Sequence, residues 1–181
     1  MQPLGALSSQ THVAADGSQY LTFRLGAEEY GVEILKVQEI RSYSAITPVP
    51  NTPRAVKGVM NLRGQIIPVV DLRTKLGLPE TAYSRFAVVI VAVISGKVVG
   101  LLADGVSDVL AVARTDIQAA PDFGTPVEAR LISGIAKAGE KLVILLNVEQ
   151  LLEEEATGPQ RTERAGSRPT PGSSGEDPGR P

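Results

Sequence analysis

The segment KGVMNLRGQIIPVVDLRTKLG, residues 57–77, carries the pattern on which the fold turns. Two aliphatic runs, Val59-Met60-Asn61-Leu62-Arg63 and Gln65-Ile66-Ile67-Pro68-Val69-Val70, flank Gly64. Short runs rich in β-branched residues on either side of a glycine read as two strands joined by a tight turn. Asp71 comes next and can accept hydrogen bonds from the free amides of a first helical turn. Residues 72–76 therefore read as a short helix, closed by Gly77.

Working outward, the same kind of short strand recurs. Upstream, residues 19–25 alternate, with Tyr20, Thr22 and Arg24 on one face and Leu21, Phe23 and Leu25 on the other. A short connection over residues 26–29 leads to a second alternating run, Tyr30, Val32 and Ile34. From there Ile34, Val37 and Ile40 recur every third residue, which suits either a helical turn or an irregular strand. Thr52-Pro53 has the form of an N-cap followed by a first-turn proline, with Gly58 as the stop, and predicts a short helix.

Downstream, residues 86–94 and 97–103 pair across Ser95-Gly96, and residues 106–112 form a further strand. A turn starting at Thr115 or Asp116 ends at Pro121. Residues 131–137 and 141–148 form a late hairpin across Ala138-Gly139-Glu140, and residues 149–156 read as a terminal helix with Leu151 and Leu152 inward.

Eight to ten short strands with Gly and Pro punctuation argue for small barrels rather than a βαβ sheet. The aliphatic middle, residues 18–156, supplies roughly 65–70 residues to each of two lobes, a size at which a lone core is marginal. Two such lobes gain by burying surface against each other, and a crevice at their junction is the first place to look for binding. No clear sequence repeat relates the halves. Residues 1–17 read as a loose polar arm. Residues 157–181, rich in Gly, Pro and Ser, hold no Leu, Ile, Val or aromatic residue, so they read as a disordered tail.

The chain has 181 residues, 43% of them hydrophobic, with 18 Lys and Arg against 20 Asp and Glu, for a formal charge of -2. That balance gives no electrostatic case for nucleic acid or an anionic membrane as the main partner. There is no cysteine, which excludes disulfides, thiolate metal sites and a cysteine nucleophile. The N-terminus has no basic stretch followed by an apolar run, so no secretory signal is read there. The longest apolar run, residues 86–94, is about half the roughly 20 residues needed to cross a bilayer. A soluble, cytoplasmic protein without direct membrane insertion is expected.

Catalytic constellations are missing. The single histidine, His12, lies in the polar arm with no orienting partner. No His/Asp/Glu group has metal-ligand spacing, so neither metal nor cofactor is expected. Residues 134–141 approach a phosphate loop, but Glu140 stands where lysine is needed and the segment lies between strands. Asp71, Asp104 and Asp108 read first as caps of helices or turns, and Glu153-Glu154-Glu155 as the solvated face of the last helix.

Three blocks carry a family resemblance. They are residues 29–40 (EYGVEILKVQEI), residues 51–53 with 57–73 (NTP and KGVMNLRGQIIPVVDLR), and residues 98–109 (VVGLLADGVSDV). In order and with spacing intact from about Gln19 to Leu152, they resemble the CheW family of chemotaxis coupling proteins. The resemblance implies a mainly β fold of two packed five-stranded SH3-like β-barrels with a few short helices. It also implies a non-catalytic adaptor that binds the cytoplasmic tip of methyl-accepting chemoreceptors and the regulatory domain of the histidine kinase CheA. Such adaptors work in a membrane-associated receptor array that also holds other copies of the CheW domain.

By the same resemblance, the receptor- and kinase-binding residues are Val37, Glu39, Ile40, Gly58, Leu62, Arg63, Gly64, Gly100 and Val106. Arg63 is otherwise an ordinary surface arginine, and Glu39 is its expected partner. Helical spacing alone would put Val37 and Ile40 in the core. Gly58, Gly64 and Gly100, with Gly105, act through backbone conformation, and Val106 and Leu101 are wall or core residues alike. A second kinase-facing surface is implied around Gln118 and Phe123. Gln118 stands where some relatives carry a basic residue, so the polar part of that surface departs from the family, while Phe123 keeps the apolar part. Two alternatives stand beside this reading: the same adaptor in another chemosensory pathway, for surface motility or development, and a β-barrel protein holding a small ligand between its lobes.

The tail reading has a direct consequence. Deleting residues 157–181 should leave the unfolding midpoint in urea and the affinity for a CheA regulatory domain unchanged; loss of either would contradict it.

Overall fold

The computed structural model describes residues 17–44, 46–121 and 130–156, with side chains to Glu153. The arm before Gly17, His12, Phe123 and the tail lie outside the described residues. Among the described residues, eleven strands run in the order β1 Gly17–Leu25, β2 Glu28–Glu33, β3 Val37–Ser42, β4 Val56–Leu62, β5 Gln65–Asp71, β6 Val88–Ile94, β7 Lys97–Ala103, β8 Gly105–Ala113, β9 Ile117–Gln118, β10 Ile132–Ala138 and β11 Lys141–Leu146. Helix α1, Leu72–Lys75, follows β5, and helix α2, Val148–Ala156, follows β11.

The strands form two sheets, β8-β1-β2-β11-β10-β9 and β3-β6-β7-β5-β4. Each closes on itself. The chain leaving β3 returns to β4, where Thr47 and Val59 exchange amide hydrogen bonds of 2.8 and 2.9 Å. The chain leaving β8 makes one 3-10 turn at Arg114–Asp116 and pairs as β9 with Ile135 and Ala136. Counting β8 and β9 as one bent strand, both sheets are five-stranded barrels, the fold class expected from the sequence. Barrel 2 is continuous in sequence, β3 to β7. Barrel 1 is split: the hairpin β1–β2 completes a wall built from β8 to β11.

The barrels are structural copies in permuted order. Gly58 opposes Val69 just after a bulge in the β4–β5 hairpin, and Gly134 opposes Leu145 just after a bulge in the β10–β11 hairpin. The parallel contacts match too, Val69 with Gly100 and Leu145 with Gly31. After each hairpin a polar residue begins the helix: Asp71 accepts the Arg73 amide at 2.9 Å, and Asn147 the Gln150 amide at 3.5 Å. The repeat is one of backbone geometry, and its residues are too divergent for it to stand out in the sequence.

Three apolar clusters follow from this arrangement. Met60, Leu62, Ile67, Val69, Val89, Val91 and Leu102 fill barrel 2, and Tyr20, Val112, Ala136, Val143 and Leu145 fill barrel 1. The largest cluster lies between them and includes Leu21, Phe23, Leu25, Val32, Leu72, Ile90, Ile94, Leu101 and Leu151. The alternation along β1 therefore separates two buried faces, barrel interior and junction, rather than core and solvent. Thr22 is buried on the interior face, where its hydroxyl donates to the Asp108 carbonyl at 3.0 Å and accepts the Asp108 amide at 3.1 Å. The junction expected to hold a crevice is thus largely packed. One hollow is lined from both barrels, by Gln65, Pro68, Lys97, Val98 and Val99 of barrel 2 and Leu152 of α2.

Two local expectations resolve or change. Residues 34–40 are both things at once, a 3-10 turn at Ile34–Lys36 followed by β3. No helix follows Thr52-Pro53. That segment is a turn in which the Val56 amide donates to the Pro53 carbonyl at 2.9 Å, and β4 begins at Val56. The cap signal is genuine in form, but barrel closure draws Val56 to Val59 into strand pairing, which outweighs a weak local preference.

Closure also explains Gly58. Its φ is +148°, and a Cβ there would lie 2.1 Å from the Thr47 carbonyl oxygen. Gly134 is crowded too, with a Cβ there 2.6 Å from Ile117 Cγ2. Gly58→Ala should destabilise the protein by about 3 kcal/mol or more through clash and strain. Gly96→Ala, in a turn with nothing within 4 Å of the new Cβ, should cost about 1 kcal/mol. Urea unfolding of the two variants measures the difference.

Candidate functional edge

Strand β3 is the exposed margin of barrel 2. Its pairing with β6 slips by one residue: Val37 opposes Ala92, Glu39 opposes Val91, and Gln38 has no partner. The slip sorts the side chains. Val37 and Ile40, opposite Ala92 and Ile90, share the junction face; Glu39, opposite Val91, shares the barrel-interior face. Val37 is half-buried against the junction core, whereas Ile40 is 43% exposed.

Arg63 reaches Glu39 from the β4–β5 turn. Its φ is +50° and that of Gly64 is +86°, the left-handed pair that a two-residue hairpin turn demands. The Gly64 amide donates to Asn61 Oδ1 at 2.7 Å and fixes the turn. Arg63 Nη2 then donates to Glu39 Oε2 at 2.5 Å, with the arginine side chain 66% exposed and the carboxylate 21%. The other carboxylate oxygen, Oε1, is buried with no hydrogen-bond partner. A cation displayed to solvent thus sits over a partly buried anion, beside the apolar pair Val37 and Ile40.

The remaining expected residues fall elsewhere. Leu62 is 4% exposed inside barrel 2, and Leu101 is fully buried in the junction core. Gly58 belongs to barrel closure. At Gly100, a Cβ would lie 2.6 Å from Val89 Cγ1, so the glycine permits close approach of β6 and β7. Gln118 is exposed on β9. Val106 is on barrel 1, partly buried against the junction core.

That placement of Val106 exposes residues the sequence reading passed over. Strand β8 slips against β1 as β3 does against β6: Val106 opposes Phe23, Asp108 opposes Thr22, and Ser107 is skipped. Val106-Ser107-Asp108-Val109 is therefore the barrel 1 counterpart of Val37-Gln38-Glu39-Ile40, and Val109 is 45% exposed against 43% for Ile40. The signal was present as VSDV against VQEI. The copies differ in charge. Gly139 holds the position of Arg63, and Asp108 turns back to accept the Val109 amide at 2.7 Å.

A polar cluster supports α1. Asp71, 2% exposed, accepts from the Tyr83 hydroxyl and from Thr74 Oγ1, and lies 3.3 Å from Lys57 Nζ. Burial, then the hydrogen bond to Asp71, pushes the Tyr83 hydroxyl well above the usual phenol range, so it stays a donor. Among the described residues, no group of three or more His, Cys, Asp or Glu could hold a metal ion.

The family model described as CheW-like domain matches residues 19–156. Chemotaxis protein CheW of Klebsiella aerogenes is 45% identical over 139 residues, 77% of this chain and 84% of that protein. Protein FrzA of Myxococcus xanthus is 30% identical, covering 84% and 94%. The crystal structure of scaffolding protein TtCheW from Thermoanaerobacter tengcongensis superposes with a TM-score of 0.71 at 32% identity, covering 78% of this chain and 91% of that one.

Because Arg63 is largely solvated, its ion pair should add little to stability. Arg63→Glu is expected to cost about 1 kcal/mol and Glu39→Arg with Arg63→Glu to recover about half of it. A double-mutant cycle in urea reads this coupling; strictly additive effects would mean that the pair does not form in solution.

Proposed function

The chain belongs to the CheW family, and from that membership we propose that it joins the cytoplasmic tip of methyl-accepting chemoreceptors to the regulatory domain of the histidine kinase CheA. Coupling within a chemosensory pathway is the family's role; the two named partners are our inference. The observation that carries it is the β3 edge, where Val37 and Ile40 offer an apolar strip beside the Arg63–Glu39 pair. A helical receptor tip can bury its apolar side on that strip while a polar or acidic group meets the displayed guanidinium. Val106 and Val109 extend the apolar strip, without its cation, to barrel 1.

The kinase contacts a second surface, around Gln118 and Phe123, where an aromatic ring would serve as an anchor. Other copies of the domain can occupy equivalent positions in an array. The adaptor acts without catalysis, metal or cofactor, on the cytoplasmic side of receptor-bearing membranes. Among the described residues, no helix is long and apolar enough to cross a membrane. Relatives named Chemotaxis protein CheW, at up to 45% identity, support chemotaxis as the pathway.

The purified protein should bind both a receptor-tip fragment and the CheA regulatory domain with Kd of about a micromolar or tighter. Arg63→Asp should weaken the receptor contact selectively, and Phe123→Ala the kinase contact, with both variants folded. Titration calorimetry of each pair measures this, and a wild type that binds neither partner would remove the coupling reading.

A further inference from the structure

The chain crosses between barrels twice, at residues 33–37 from β2 to β3 and at residues 102–106 from β7 to β8. Each crossing is gripped by the helix of the barrel being left. Arg73, the second residue of α1, places Nη2 2.5 Å from Asp104 Oδ2. The same oxygen accepts the Gly26 amide of the β1–β2 turn at 2.7 Å, and the Asp104 amide donates to the Arg24 carbonyl at 3.0 Å. Asp104 is thereby tied to both barrels. At the other crossing Glu149, the second residue of α2, holds Lys36 Nζ at 2.5 Å. The helix positions are equivalent, each two residues after the helix cap, and the crossing residues differ by one position. The charges are reversed.

Apolar burial at the junction holds the barrels together but is non-directional. Charge-assisted hydrogen bonds between fixed points add direction. Lys36 immediately precedes Val37, and Asp104 stands two residues before Val106. We propose that Arg73–Asp104 and Glu149–Lys36 are positioning pairs that set the relative orientation of the two barrels, and with it the presentation of the Val37–Ile40 and Val106–Val109 edges. The functional meaning of those edges rests on the coupling reading, whereas the orientation itself can be measured without a partner.

The pairs differ in kind. The Arg73 and Asp104 side chains are 11% and 16% exposed, and Asp104 Oδ1 is buried without a partner. Removing either member strands a buried charge. Lys36 and Glu149 are 26% and 52% exposed, so salt screens that pair far more. One grip is permanent and the other yields to ionic strength.

The chain has no cysteine, so nitroxides placed through Lys97→Cys on barrel 2 and Lys137→Cys on barrel 1 report one inter-barrel distance by pulsed EPR in the full chain. The parent should give one narrow distribution. Glu149→Gln should broaden it, Asp104→Asn should shift and broaden it, and Lys36→Glu with Glu149→Lys should narrow it again. Salt at about 1 M, where the Debye length is about 3 Å, should reproduce the Glu149→Gln result in the parent. A folded Asp104→Asn, Glu149→Gln double variant with the parental distribution would overturn the proposal. Should that variant fail to fold, a parental distribution in Glu149→Gln would overturn the assignment of Glu149–Lys36. Receptor-tip binding in the same samples separates the two readings: altered distances in a chain whose parent binds no receptor leave the positioning pairs standing and remove the coupling role, and unaltered distances with normal binding do the reverse.

Discussion

Strands β1 and β6 are among those buried on both faces, and the rest of the molecule depends on that constraint. Each contributes alternate residues to its own barrel and to the junction: Tyr20 and Thr22 against Leu21 and Phe23, Val89 and Val91 against Ile90 and Ala92. Barrels of this size bury too little apolar surface to be comfortably stable alone. Sharing a third core between them supplies the deficit, and it leaves the outer strands, β3 and β8, as the margins where apolar side chains can meet a partner.

The candidate edge is made by a bulge and a turn. The one-residue slip in β3 turns Val37 and Ile40 to one face and Glu39 to the other, and the left-handed turn at Arg63-Gly64 brings a cation over that carboxylate. Glycines at 58 and 100 work at a distance, by letting strands approach more closely than a side chain would permit. Leu62 fills the barrel 2 core behind the turn that carries Arg63.

Much of this was legible in residues 57–77 alone, because a glycine turn, two β-branched runs and a capping aspartate are local signals with local causes. The Arg63–Glu39 pair came from family pattern, since residues 24 positions apart carry no mutual signal in one sequence. What escaped was set by tertiary pairing. The cap-like Thr52-Pro53 yields to barrel closure, which needs a partner strand before it exists. The likeness of VSDV to VQEI is four residues long, and it gains meaning only when both segments are seen to slip in the same way against β1 and β6.

The split of barrel 1 bears on how the chain is made. As the protein leaves the ribosome, β3 to β7 emerge as a complete wall and can close early, while β1 and β2 come out before them and have no barrel to enter. Tyr20, which faces the barrel 1 interior, must wait until β11, ending at Leu146, has followed. The β1–β2 hairpin, made before barrel 2, is completed after it. A chain stopped after β7 therefore presents an unpartnered β1–β2 hairpin beside a complete barrel 2 wall, and barrel 1 is finished only when the last strands arrive.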